Sequence, residues 1–265
     1  MMRDAAVYEE VDSGAMQASA DHQTAEAHGH APAAANGSDT ARQRLVARYV
    51  WFVLGVAINS FGVAFITKAA LGTSPISSIP YVLDLAFEPT FGEFTFVLNM
   101  LYILLQVAIL RRDFKPVQFL QIVVNVIFSA LIDVSMSFLV WLDPQTLPLQ
   151  LVSLLVGCAI LGLGIAIEVA PNVITVPGEG IVRTFSAVTE KPFGTCKVAF
   201  DVTLVAIACV LSFFFFGRLN GLGLGTIVSA LLVGRLCNFY NLHVPLIARI
   251  ARLTRSESGA PQEAL

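Results

Sequence analysis

A chain of 265 residues with 56% hydrophobic and only 13% charged side chains, and a mean hydropathy of +0.74, is no ordinary soluble enzyme, since soluble domains carry roughly 25% charged residues. Nor is it a disordered chain or a nucleic-acid-binding domain, because the charge that solvation or phosphate neutralisation needs is missing. The net charge of −3 averages two unlike regions: residues 1–41 hold seven acids and one base, and the remainder fifteen bases and twelve acids.

These figures define an all-α polytopic membrane protein, whose parts follow in chain order. Residues 1–41, rich in Ala, Ser, Gly and acids, lack an apolar run long enough to offset ordering entropy and are expected to form a disordered acidic cytoplasmic tail. The tail has no basic segment followed by an apolar stretch and a small-residue cleavage site, so it does not read as a signal peptide. Its His22, His28 and His30 stand without cysteines or a fixed frame, and neither a metal nor a cofactor is expected.

Beyond Arg42, Arg44 and Arg48, six apolar stretches are long enough to cross a ~30 Å hydrocarbon core at about 1.5 Å per residue. They cover 49–67, 94–110, 117–141, 149–170, 197–216 and 222–242. Two further segments, 71–88 and 173–190, are interrupted by proline and glycine. From Pro75 to Glu88, and again from Pro177 to Glu190, there is room for about 18 Å of helix, too short to span.

Shifting the sequence by 102 positions superposes the broken segments without a gap. Gly62, Ala64, Thr73, Pro75, Ile79, Glu88, Phe91 and Gly92 then meet Gly164, Ala166, Thr175, Pro177, Ile181, Glu190, Phe193 and Gly194, while Asn99 meets Asp201. At a shift of 100, Ser129-Ala130-Leu131 meets Ser229-Ala230-Leu231. The chain therefore divides into a first membrane repeat, 42–146, a second, 147–245, and a basic cytoplasmic C-terminal tail, 246–265. Lys and Arg gather on the cytoplasmic side of membrane proteins. If the broken segments do not cross, Arg42, Arg44, Arg48, Arg111, Arg112, Lys115, Lys191, Arg249, Arg252 and Arg255 share that side, and only Lys68 and Arg218 face outward. Three spans per half then make the repeat inverted and leave both termini cytoplasmic.

Ionisable groups in spans cost about 2.5 to 3.5 kcal/mol at the helix centre, so each is a functional candidate. Asp133 lies two-thirds along 117–141 with no base within a turn, which leaves function or interhelical pairing. Lys197 and Asp201 are spaced for an i, i+4 contact, and a local ion pair explains them as well as a binding role does. Glu179 sits between Gly178 and Gly180 after Pro177, where a broken helix frees backbone groups for an ion or solute; stabilising its own helix dipole is the alternative. Arg183, four residues on, could pair with it. In the first half Ser74 and Ser77 flank Pro75 and offer neutral donors and acceptors, with Ser74 also placed as an N-cap. Asn99 reads as an interhelical hydrogen-bond partner. Glu168 and Arg235 read as snorkelling or paired groups of less consequence. Cys158, Cys196, Cys209 and Cys237 have neither metal nor redox spacing and read as small buried hydrophobes.

Leu71-Gly72-Thr73-Ser74-Pro75, Ile132-Asp133 with Met136, Pro177-Gly178-Glu179-Gly180, and Phe193-Gly194-Thr195 followed by Lys197-Val198 and Phe200-Asp201-Val202 resemble the YczE/YyaS/YitT-type family of bacterial multi-pass membrane proteins, the YczE branch most closely. The resemblance covers roughly 48–240. It implies a bacterial plasma-membrane protein, a location rather than a substrate. No nucleotide-binding, protease or esterase motif is present, so the expectation is a non-enzyme: a secondary transporter or permease for a small molecule, proton- or cation-coupled. The alternative is a non-transporting accessory or scaffold subunit of a synthesis or export complex. Expected partners are the lipid bilayer, an unidentified small-molecule or ion substrate, and a homodimer mate or accessory membrane protein; nucleic acid is not among them.

Overall fold

The computed structural model describes residues 31–114 and 116–255, all helix and connecting loop. Its densely connected body begins at Arg48. Nine α-helices fall among the described residues: α1 (Ala31–Lys68), α2 (Ser78–Ala86), α3 (Phe91–Leu110), α4 (Leu120–Phe138), α5 (Leu147–Val169), α6 (Pro177–Thr189), α7 (Phe193–Phe216), α8 (Leu224–His243) and α9 (Pro245–Arg255). Five stretches are long and apolar enough to span by themselves: 42–68, 91–110, 116–141, 147–169 and 193–216. A sixth, α8, passes together with α9, which turns away from it by 79°. The protein is an all-α polytopic membrane protein.

Residues 1–30 of the expected disordered tail and 256–265 of the C-terminal tail, with the three tail histidines, lie outside the described residues. Residues 31–41 depart from expectation, because α1 already starts at Ala31. Ala31 and Ala33–Ala35 are strong helix formers, and once the apolar span is helical each added residue gains a hydrogen bond without a new nucleus. At the other end Pro245 stops α8, and α9 packs Ile247 and Ile250 against Ala166 and Ile167 of α5, leaving Arg249 and Arg252 exposed.

The core is built around the crossing of α1 and α5. A side chain placed on Gly55 would overlap the Glu168 backbone, on Gly62 that of Leu161, on Gly164 that of Asn59, and on Gly157 the backbone and side chain of Ile66. Partner numbers fall as positions rise, so the two helices run antiparallel. Glycine at these four places brings the backbones together, the usual basis of tight helix contact in lipid, where burial of apolar surface gives no advantage over the acyl chains. Arg48, near the start of the body, donates to the carbonyls of Pro171 (3.0 Å) and Asn172 (3.2 Å) just past the end of α5, fastening the antiparallel pair at that end.

The two short helices begin where proline demands it. Pro75 opens a single 3-10 turn that leads into α2, and Pro177 opens α6. Each proline stands where its missing N–H costs nothing. Ser74 occupies the N-cap position as expected, but its hydroxyl makes no capping bond; it donates instead to Ser77 Oγ at 3.0 Å. The chain reaches Pro75 through Gly72, whose φ of 116° suits glycine, and the Leu71 carbonyl accepts from Gly225 N (2.8 Å) at the start of α8.

Candidate functional site

A cavity of about 530 Å³ opens between the two helix breaks. Ser74–Ser77 bounds it from the first break and Val176, Gly178 and Glu179 from the second. Thr95 and Asn99 of α3 and Lys197 and Asp201 of α7 continue these walls, and Ser229, Arg235 and Asn238 of α8 close the circuit. At the 102-residue shift Ser77 pairs with Glu179, Thr95 with Lys197 and Asn99 with Asp201. The cavity thus has a neutral hydroxyl and amide wall from the first half and a charged wall from the second. The breaks themselves meet: a side chain on Gly178 would overlap Ile76, its own counterpart in the repeat.

Six of the eight sequence-nominated residues line this space: Ser74, Ser77, Asn99, Glu179, Lys197 and Asp201. Lys197 and Asp201 form the anticipated i, i+4 ion pair. Asn99 donates to Asn125 Oδ1 on α4 (2.9 Å), and Asn125 donates to the Phe96 carbonyl (3.0 Å), so Asn99 is both lining and interhelical tie. Glu179 is half-buried and takes no hydrogen bond or ion pair from the described residues; the cations in electrostatic reach of it are Lys197 and Arg183.

The other two nominated residues lie elsewhere. Arg183 is exposed and borders a separate pocket of about 90 Å³ with Val169 and Asn172–Thr175. It makes no ion pair with Glu179, because the first turn of α6 turns Glu179 to the cavity while the next turn meets the loop after α5. Asp133 accepts from Thr90 Oγ1 (2.7 Å) and Gly92 N (2.8 Å), while Thr90 and Glu93 form a reciprocal capping box. Its carboxylate therefore serves the amino end of α3 through hydrogen bonds and the helix dipole. The expectation of interhelical pairing describes it better than a place at the cavity.

Two positioning residues stand out beyond the nominated set, Glu168, which the sequence reading gave less consequence, and Gln106, which it did not name. Glu168 is only 1% exposed and accepts from Asn59 Nδ2 at 2.6 Å, and Asn59 lines the cavity. Gln106, fully buried on α3, donates to the Pro177 carbonyl (3.3 Å) and to Gln121 Oε1 (3.2 Å), holding the second break in place. Both were visible as polar residues in apolar spans; their partners, 109 and 71 positions away, were not.

The halves differ in one seam. In the first, α3 and α4 are packed together, with Gly92 against Ser129 and Asp133. In the second, α7 and α8 form no comparable seam, and a side chain on Gly194, the counterpart of Gly92, would meet nothing within 4 Å. The cavity reaches the outer surface there: Phe193, Val198 and Leu231 line it and are exposed.

A polytopic helical body with a largely apolar cavity that carries polar side chains from both helix breaks defines the class. Comparison with known proteins gives the family: the chain belongs to the family of unknown function DUF6198, whose model matches residues 46–242. It is similar to the uncharacterized protein YyaS of Bacillus subtilis (strain 168), at 22% identity over 208 residues that cover 76% of this chain and 94% of that protein. The expected YyaS-type membership holds, and the YczE branch is not distinguished by these matches. No solved structure matches the chain.

Proposed function

We propose that this protein is a secondary transporter of the bacterial plasma membrane that moves a small molecule through the cavity between its helix breaks, with a proton or cation as coupling ion. The observation that carries the reading is the cavity itself, bounded by both interrupted segments and by matching positions of the two repeats. Irregular backbone at membrane depth is tolerated where protein buries it or where it lines a wet space. Broken helices meeting at a repeat interface are the usual form of a transporter's central site.

The antiparallel crossing of α1 and α5 supports an inverted repeat. Gly55–Glu168 and Gly157–Ile66 exchange under the 102-residue shift, as do Gly62–Leu161 and Gly164–Asn59. Such exchange is the signature of a two-fold axis, and for antiparallel spanning helices that axis lies in the membrane plane. An odd number of crossings must separate the starts of α1 and α5, so α2 turns back and only α1, α3 and α4 cross. Both termini then face the cytoplasm with most of the Lys and Arg.

Function is tested in proteoliposomes loaded with pyranine, a pH-sensitive dye, and challenged with a panel of amines, carboxylates, sugars and neutral polar solutes. One solute class should drive proton movement through the wild-type protein, and Glu179→Gln should reduce it by about tenfold or more while the protein still inserts and keeps its unfolding temperature. Proton movement that is equal in Glu179→Gln and wild type rejects the site; no movement with any class rejects proton-coupled transport.

A further inference from the structure

The chemistry of the cavity walls selects among solutes. Of the charged groups around Glu179, Lys197 and Asp201 neutralise each other, Glu168 is held by Asn59, Arg183 lies outside the cavity on α6, and Arg235 stands exposed on α8. Glu179 alone presents a carboxylate to the cavity without a hydrogen bond or ion pair from the described residues. A half-buried, unpaired carboxylate in an apolar-walled cavity draws a cation or a proton. The dipole at the amino end of α6 favours an anion, but Glu179, in the first turn, already supplies one; a second would meet it as a like charge. Facing it across the breaks, Ser74 and Ser77 bring hydroxyl oxygens able to accept from an N–H donor. Most of the remaining wall is apolar, including Phe128, Leu161, Ile165 and Phe193, and the gap between α7 and α8 opens it toward the lipid-facing surface.

We propose that the cavity is a binding site for an amphipathic monovalent organic cation, its charge against Glu179 and its apolar body along Phe128, Leu161, Ile165 and Phe193, with entry from the side between α7 and α8. A proton competes for the same carboxylate, so cation and proton exclude each other and exchange in opposite directions. The binding site stands on its own geometry; only the exchange rests on the transport reading above.

The test uses the full chain in phosphatidylcholine nanodiscs, with empty discs subtracted. It is titrated with radiolabelled tetraphenylphosphonium and with tetraphenylborate, an anion of the same shape. Saturable tetraphenylphosphonium binding is expected, weakened about tenfold or more in Glu179→Gln, preserved in Glu179→Asp and Arg183→Gln, and progressively lost as the pH is lowered. Equal binding of the two probes overturns the proposal, as does unchanged affinity in Glu179→Gln or the absence of saturable binding to wild-type protein that retains its thermal unfolding transition. The two readings fail separately. Tetraphenylphosphonium binding without solute-driven proton movement leaves the cation site and removes the proton exchange; proton movement driven by carboxylates or neutral solutes, without tetraphenylphosphonium binding, keeps proton-coupled transport and removes the cation site.

Discussion

Substituting alanine for Gly164 is expected to lower the unfolding temperature of the purified protein sharply, with Gly62→Ala close behind and the double variant failing to accumulate. The added methyl at 164 has no free volume to enter, because it would overlap the backbone of Asn59, and backbone at a helix crossing cannot rotate aside as a side-chain tip can. Relief requires α1 and α5 to separate. That loosens the Asn59–Glu168 hydrogen bond and takes one donor from the buried Glu168 carboxyl, which Val176 also bonds through its backbone. Overpacking alone costs about 1–3 kcal/mol, and depriving a buried carboxyl of a hydrogen bond adds a further ~1–3 kcal/mol. Gly194→Ala and Gly234→Ala are the controls, since a Cβ there meets nothing within 4 Å. Thermal unfolding in one detergent ranks the four variants; equal transitions for Gly164→Ala and Gly194→Ala would show that the crossing is not the centre of the fold.

The second large effect concerns the unequal seams. On the proposed reading as an inverted-repeat transporter, the conformations of the two halves exchange, and the packed α3–α4 seam is then the image of what α7–α8 would become on closing the cavity at that side. Gly92 lies against Asp133; their counterparts are Gly194 and, at the shift of 100 that applies to the last helix, Val233. A Gly194→Cys/Val233→Cys pair, in a background freed of Cys158, Cys196, Cys209 and Cys237, should cross-link under oxidant during turnover and reduce flux by about tenfold or more, as expected when a gating motion is blocked. Reduction should restore the flux. A pair that never cross-links, or that cross-links without affecting flux, counts against exchange of the seams.

Much of the architecture was legible in the residues because its causes are local. Hydropathy delivered the spans, Pro75 and Pro177 the breaks, and the 102-residue shift the pairing of Gly62 with Gly164 and of Asn99 with Asp201. Even the Lys197–Asp201 pair needed only helical spacing. What remained hidden depends on which helices meet. Asp133 looked like an unpaired charge because Thr90 and Gly92 are more than 40 positions away, and those two groups account for it. Glu168 read as a snorkelling or paired group, and which of the two holds was decided only by α1 laying Asn59 beside it. The Arg183–Glu179 contact that the spacing allowed does not form for a related reason: spacing permits an i, i+4 contact, but what packs against each side chain decides whether it forms. The helical start at Ala31 shows how a stable span extends into a polar segment that composition alone assigns to coil.

Inverted halves around the cavity are tested most directly by the side from which two equivalent positions react. Glu88 and Glu190 follow α2 and α6, are both exposed, and correspond at the 102-residue shift. Single cysteines at these positions in a cysteine-free chain, probed in intact cells with a membrane-impermeant maleimide, should label from opposite faces, Glu88→Cys from outside and Glu190→Cys only after the membrane is opened. Labelling of both from the same face would contradict the inverted arrangement and the alternating site built on it.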